Sequence, residues 1–274
     1  MEKLEKCREQ VHKWGRTNRV TFDGSKEHMV VIHPRLAYGD PFKLLGLLVD
    51  GKLLMRNAVD ATLTKIRPRI KAMLRTRGHY STESLIQQFK SHIWGLMEAH
   101  TGGIFHAATS ILIQFDNSQK HFLEELGESE ASAFLKFNFA PPTLRRNIAI
   151  LGMIHKKVLG KCHPSFDGLL PPKSTVEEGR HSKQIYAHWS EVTENRVLFN
   201  RSIFGMVDIY NNLPQSYVEL GTVSAFQSKL TSIAKSRCEH LDADWRSSFC
   251  RRGGPECNGG TLVEEDEEEL PTLD

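Results

Sequence analysis

The densest charge in the sequence lies between residues 56 and 77, where Arg56, Lys65, Arg67, Arg69, Lys71, Arg75 and Arg77 face a single acid, Asp60. Arg67, Lys71 and Arg75 recur every four residues. On a helix that spacing makes one ridge of cations, set opposite an apolar stripe of Val59, Leu63, Ile66, Ile70 and Met73/Leu74. Such a ridge fits the phosphates of a duplex backbone, and binding that rests on it must weaken as salt rises. Arg145-Arg146 and Lys156-Lys157 add positive charge that could extend the surface. Cys238, His240, Cys250 and Cys257 are residue types that hold zinc, but structural zinc sites pair their ligands two to four residues apart at both ends, and this spacing does not. They read as unlinked thiols and a surface histidine, so no metal is expected here. The patterns Gly-x-Ser-x-Gly, His-Glu-x-x-His, the Walker phosphate loop and the dinucleotide fingerprint do not occur.

The elements that must position these residues follow from periodicity and turn chemistry. Residues 2–14 read as a helix with Leu4, Val11 and Trp14 on one side. Val20–Phe22 and His28–Ile32 read as strands flanking an Asp23-Gly24-Ser25 turn. Phe42–Val49 followed by Asp50-Gly51 and Leu53–Met55 predicts a hairpin over 42–55 turning at Asp50-Gly51, because a type I′ turn needs positive φ at both central residues. From residue 57 the pattern becomes helical, with Pro68 expected to kink or divide the first helix. A second helix is expected from Ser81/Thr82 to just before Gly102-Gly103, carrying Leu85, Phe89, Ile93 and Met97. A third carries Ile111, Phe115, Phe122 and Leu126 and ends at Gly127. A fourth covers about 129–137, and a fifth opens at Pro142 and stops at Gly160. Residues 161–201 read as a linker or long loop. Helices follow near 202–212 and 222–237, the first ended by Pro214 and the second capped by Thr222. A tail over 239–274 reads as disordered, most clearly after Cys250.

The fold class is therefore α+β: a small N-terminal strand and hairpin region over 1–56, a helical domain over 57–160, the linker, C-terminal helices over 202–238, and the acidic tail. Glu264, Glu265, Asp266, Glu267, Glu268, Glu269 and Asp274 lie in that tail with no base among them, so the net charge of +3 conceals a body at +10. A basic body implies a polyanionic partner, for which the tail could compete. The five cysteines are scattered, no segment has the order of a signal peptide, and no apolar run approaches the roughly 20 residues that cross a bilayer. An intracellular protein, nuclear or cytoplasmic, away from the membrane, is expected.

Four stretches in order resemble the reverse transcriptases of non-LTR, LINE-type retrotransposons downstream of their catalytic palm motifs. Trp14, Asn18, Val20, Phe22 and Ser25-Lys26-Glu27 resemble motif D, and Phe42-Lys43-Leu44-Leu45-Gly46-Leu47 resembles motif E, one arm of the primer-grip hairpin. The helical block 57–160, with Ala140-Pro141-Pro142-Thr143 and Arg145-Arg146, is similar to the thumb. Tyr210-Asn211-Asn212-Leu213-Pro214 with Phe226-Gln227-Ser228-Lys229-Leu230 resembles the family's C-terminal ending. Together they cover most of residues 4–232, and the order carries the resemblance more than any single motif.

The resemblance implies that residues 1–56 are the end of a truncated palm. It implies a primer grip at Leu45, Gly46, Asp50 and Gly51, and template–primer contacts at Arg56, Lys65, Arg67, Lys71, Arg75 and Arg77. Lys26 would be the motif D lysine, the proton donor to pyrophosphate, only in a complete enzyme. In this chain by itself it reads as an exposed lysine after a turn. The complete family enzyme holds magnesium on palm aspartates in a Tyr/Phe-x-Asp-Asp turn that precedes motif D. Tyr38-Gly39-Asp40-Pro41 and Asp242-Ala243-Asp244 are the nearest patterns, and neither has the right context. The expectation is thus a C-terminal fragment that binds an RNA/DNA template–primer duplex, holds no cofactor and is no enzyme unless a palm/fingers polypeptide is supplied. The alternatives are a helical protein-interaction module, or a retroelement remnant without function.

Overall fold

The computed structural model describes residues 2–33, 37–175, 179–187 and 196–250. The expected tail from 251 onward, with Cys257, lies outside them. The architecture is α+β: a mostly helical chain with one two-stranded antiparallel sheet. It divides into two units, residues 1–58 and 59–274, with the boundary in the first turn of a helix.

In the first unit, α1 (Glu2–Thr17) carries the expected face of Leu4, Val11 and Trp14, and all three are exposed. The strands expected at 20–22 and 28–32 are not formed. The Asp23 carboxylate instead accepts from the Ser25 N–H (3.0 Å) and hydroxyl (2.6 Å), winding Gly24–Lys26 into a 3₁₀ turn. Such local side-chain bonds compete with a ladder for the backbone. What remains of the second strand is one antiparallel bridge, Val31 to Tyr38.

The hairpin is present but turns elsewhere than expected. β1 (Phe42–Leu44) pairs with β2 (Leu47–Val49), Phe42 opposite Val49 and Leu44 opposite Leu47. The loop is therefore Leu45-Gly46, with φ of 49° and 85°, the signs a type I′ turn requires. Asp50 has a different task. Its carboxylate accepts from the N–H groups of Lys52 (3.1 Å), Leu54 (3.0 Å) and Met55 (2.8 Å), and so shapes the lead-in to α2 (Arg56–Arg75).

Helix α2 runs unbroken through Pro68. The proline sits on the exposed side, where water can serve the carbonyl it leaves unpaired. In the second unit, α3 (Thr82–Phe89) is capped by Ser81 and passes through a π turn over Lys90–Trp94 into α4 (Gly95–Glu98). Gly102-Gly103 does not simply end this run but forms part of a one-turn helix, α5 (Thr101–Ile104). Then come α6 (Thr109–Glu125), α7 (Glu130–Phe137) and α8 (Pro142–Val158), close to the expected spans. Short α9 (Phe166–Leu169), α10 (Arg196–Arg201), α11 (Val207–Asn211) and α12 (Gln215–Val218) lead to α13 (Val223–Glu239), where the Thr222 hydroxyl accepts from Ala225 N–H.

No boundary at 160 separates a domain 57–160 from one at 202–238, because α8 and α13 share one core: Leu144, Ile148 and Leu151 with Phe226, Leu230 and Ala234. Nor is 161–187 a free linker. Leu170 and Ile185 are buried in that core, and Asn211 clamps Ile185 through both its backbone groups (3.0 and 2.8 Å). Residues 239–250, expected as part of the disordered tail, also fold back. Trp245 stacks on Phe134 at 5.2 Å and Phe249 is fully buried.

A buried polar seam joins these pieces. His155 on α8 donates from Nε2 to the Leu220 carbonyl (2.8 Å), which leaves Nδ1 to accept from the Tyr210 hydroxyl (3.0 Å). His181 accepts from Lys183 N–H at Nδ1 (3.1 Å) and donates from Nε2 to the Tyr210 carbonyl (2.9 Å). Burial holds both histidines below the ordinary value of 6.5. The same burial pushes the Tyr210 hydroxyl well up, so it stays a donor. Because the folded state resists protonation that the unfolded chain accepts, their stabilisation is fully present above pH 6.5 and is lost as pH falls through the lowered folded values. Urea midpoints should fall from about pH 7.5 to about pH 5.5, and the fall should be smaller in the His155→Gln/His181→Gln variant. An equal fall in that variant would remove the two histidines as its cause.

Candidate nucleic-acid interface

The apolar side of α2 is as expected, with Val59, Leu63, Ile66, Ile70, Met73 and Leu74 all buried. The basic side differs in layout. At 3.6 residues per turn, Arg67, Lys71 and Arg75 lie roughly 110° round the helix from the centre of the apolar stripe, along one flank and not opposite it. Lys65 and Arg69 fall on the other flank. Five of the seven bases thus split into two rows, with Arg56 at the start of the helix and Arg77 beyond its end.

The rows differ in what holds them. Arg69 donates to the His92 carbonyl at 3.4 Å. Arg77, beyond the helix, donates to the Leu74 carbonyl (3.3 Å) and pairs with Glu125 (3.4 Å). Arg67, Lys71 and Arg75 are exposed with no acidic partner among the described residues, and the same holds for Lys65. Arg56 is exposed at the start of α2, in the first unit.

The row borders a groove. Arg67, Ile70 and Lys71 form one wall, and Gln114, Asn117, Ser118 and His121 of α6 form the other, around a space of ≈ 400 Å³. These α6 residues recur at the i, i+3, i+4, i+7 spacing of one helix face. The Arg77–Glu125 ion pair ties the far ends of both helices, so α2 and α6 run in the same direction beside the groove. Charge on one wall and amide, hydroxyl and imidazole groups on the other are the donor set that phosphate oxygens accept. The α6 wall was missed in the sequence. Its polar spacing is visible there, but nothing local says that this side faces α2.

Of the cations expected to extend the surface, Arg145, Arg146 and Lys157 have structural partners, as does the nearby Lys90. Arg146 is buried and donates from Nη2 to Asp116 Oδ2 (3.0 Å), while Asp116 also accepts from the backbone N–H and hydroxyl of Thr143 (2.8 Å each). Arg145 lies 3.6 Å from the Trp94 ring centre and pairs with Glu98. Lys90, on the π turn, donates to the Phe137 carbonyl, and burial and then Arg145 hold its ammonium below the usual lysine value. Lys157 reaches Asp167 at 3.7 Å, and Lys156 is exposed.

The primer-grip residues sit as described for the hairpin, Leu45 fully exposed at its tip and Asp50 tied into its own backbone. Lys26 is exposed and 3.4 Å from Asp23, whose carboxyl Ser25 and then Lys26 hold below its usual value. Cys238 and Cys250 are buried, and burial pushes the Cys238 thiol up. His240 bonds the Ser236 carbonyl at 2.7 Å. Among the described residues no group of three or more His, Cys, Asp or Glu could hold a metal ion. Asp242 pairs with Arg237 at 2.6 Å and accepts from Asp244 N–H. Tyr210, Asn211, Leu213 and Pro214, the residues of the C-terminal motif, respectively anchor His155, clamp Ile185, fill the core and open α12. Among the described residues no helix is long and apolar enough to cross a membrane.

Compared with known families, characterised proteins and solved structures, the chain matches none.

The two kinds of cation should separate on substitution. Arg67→Ala, Lys71→Ala and Arg75→Ala should each change unfolding free energy by no more than about 0.5 kcal/mol. Arg146→Ala, which strands the buried Asp116 carboxylate, should cost about 3–5 kcal/mol in denaturant titrations.

Proposed function

We propose that this chain binds a nucleic-acid duplex, an RNA/DNA template–primer, along the groove between α2 and α6, as the thumb-side part of a non-LTR-type reverse transcriptase. The observation that carries this is the exposed row Arg67, Lys71 and Arg75, without acidic partners among the described residues and beside a polar wall. A row of cations at a repeat of about 6 Å along a helix is held apart by its own repulsion until a polyanion neutralises it. The four-part resemblance supplies the family and the class of duplex. The chain is read as a binding part that makes no DNA by itself, since the family's metal-holding palm aspartates find no counterpart in these residues.

The competing reading is a helical protein-interaction module, favoured by one observation: the Glu264–Glu269 run is a polyanion within the same chain. Removing residues 261–274 separates the two. Higher duplex affinity follows if the tail competes with nucleic acid, whereas lost partner binding follows if it belongs to a protein interface.

Fluorescence anisotropy with an RNA–DNA duplex over a salt series tests the proposal. Log affinity should fall linearly with log salt, and each alanine in the row should weaken binding and lower the slope by about 1. The proposal fails if no salt-sensitive binding is found, or if the triple alanine variant keeps the full slope.

A further inference from the structure

The two walls of the α2/α6 groove differ in what they can do for a ligand. Arg67 and Lys71 on the α2 wall can only donate, because neither a guanidinium nor an ammonium has an acceptor atom. On the α6 wall, Gln114 and Asn117 each offer a carbonyl oxygen beside an NH₂ group. His121 adds an imidazole, which in its neutral form donates at one nitrogen and accepts at the other. These three side chains have no hydrogen-bond partner among the described residues. The fourth, Ser118, donates its hydroxyl proton to the Gln114 carbonyl (2.8 Å), so its oxygen offers a ligand lone pairs alone.

A row of phosphates or carboxylates satisfies the first wall and not the second. Ionised oxygens accept and cannot donate, so against α6 they would leave the acceptors, Ser118 Oγ above all, with nothing to bind. The ligand that suits both walls carries anions toward α2 and, toward α6, groups that donate as well as accept. A ribose strand has that form. Its phosphates alternate with 2′-hydroxyls, and the wide, shallow minor groove of an A-form helix displays those hydroxyls to a protein surface. The α6 groups recur one helical turn apart, at about 5–6 Å, along the same direction as the cations. A deoxyribose strand brings the phosphates without the second row.

We infer that the α6 wall reads the RNA strand, Gln114, Asn117, Ser118 and His121 bonding 2′-hydroxyls while Arg67 and Lys71 hold phosphates, so that the groove selects an RNA-containing duplex over DNA. This rests on the groove binding nucleic acid, and the experiment keeps the two apart. The full chain is titrated by anisotropy with three duplexes of one sequence: RNA–DNA, DNA–DNA, and RNA–DNA in which fluorine replaces every 2′-hydroxyl of the RNA strand. The fluorinated strand keeps the A-form sugar pucker and lacks the donor. RNA–DNA should bind about tenfold more tightly than either of the others. Ser118→Ala and Asn117→Ala should each narrow that gap and together close it, with the salt slope kept because no cation is lost. Arg67→Ala should weaken all three duplexes alike and lower the slope by about 1. The reading of ribose is overturned, and the groove's duplex binding left intact, by any of three results: equal binding of the three duplexes, a fluorinated duplex bound as tightly as RNA–DNA, or a gap that survives the double variant. Binding of none of the duplexes overturns both.

Discussion

The second unit is arranged around a buried histidine, His155, whose two ring nitrogens are both hydrogen-bonded and whose pKa burial holds below its ordinary value. His155 has a carbonyl that can only accept on one side and a tyrosine hydroxyl on the other, so its tautomer follows from its partners. Tyr210 is in turn fixed through its own carbonyl by His181, and Phe226 stacks on the imidazole at 4.2 Å. Three distant stretches, α8, residues 181–185 and α11–α13, thus meet at one set of hydrogen bonds. Moving any of them would leave a polar group unpaired in the core, where the loss is not recovered from water.

That seam explains why the C-terminal helices are not a separate body. The Asn-Leu-Pro stretch and its following Phe-x-x-x-Leu serve the same core: Asn211 holds an irregular segment by its backbone, Leu213 fills the interior, and Phe226 and Leu230 lie against α8. Residues that a motif comparison singles out can therefore be retained for packing alone. The functional weight shifts to side chains that the fold leaves unsatisfied.

The division of the cations follows the same logic. Arg146 faces Asp116 inside the fold, and Arg145 covers Trp94 beside Glu98. By contrast, Arg67, Lys71 and Arg75 have no acidic partner among the described residues, and Arg67 and Lys71 face a groove whose other wall is polar. Sequence spacing treated all of them alike as positive charge, because charge can be read from a list of residues but its pairing cannot. The α6 wall illustrates the complementary case: Gln114, Asn117, Ser118 and His121 are unremarkable until a second helix runs beside them.

The sequence by itself determined the longer helices and their buried faces, since periodicity and side-chain capping are local properties: the Thr222 and Ser81 caps and the stripes of α2, α3, α6 and α8 stand where expected. It also pointed to a hairpin within 42–55, although with the turn at Asp50-Gly51. The turn falls instead at Leu45-Gly46, while the Asp50 carboxylate accepts from three backbone N–H groups of its own loop. Tertiary structure decided that Leu170, Ile185, Trp245 and Phe249, outside the long helices, belong to the core. Short irregular segments carry no period, so their burial depends on apolar surface presented by helices far away in the chain. For the same reason composition announces a basic protein, while only the packing of α2 beside α6 says which of its charges are free to meet a partner.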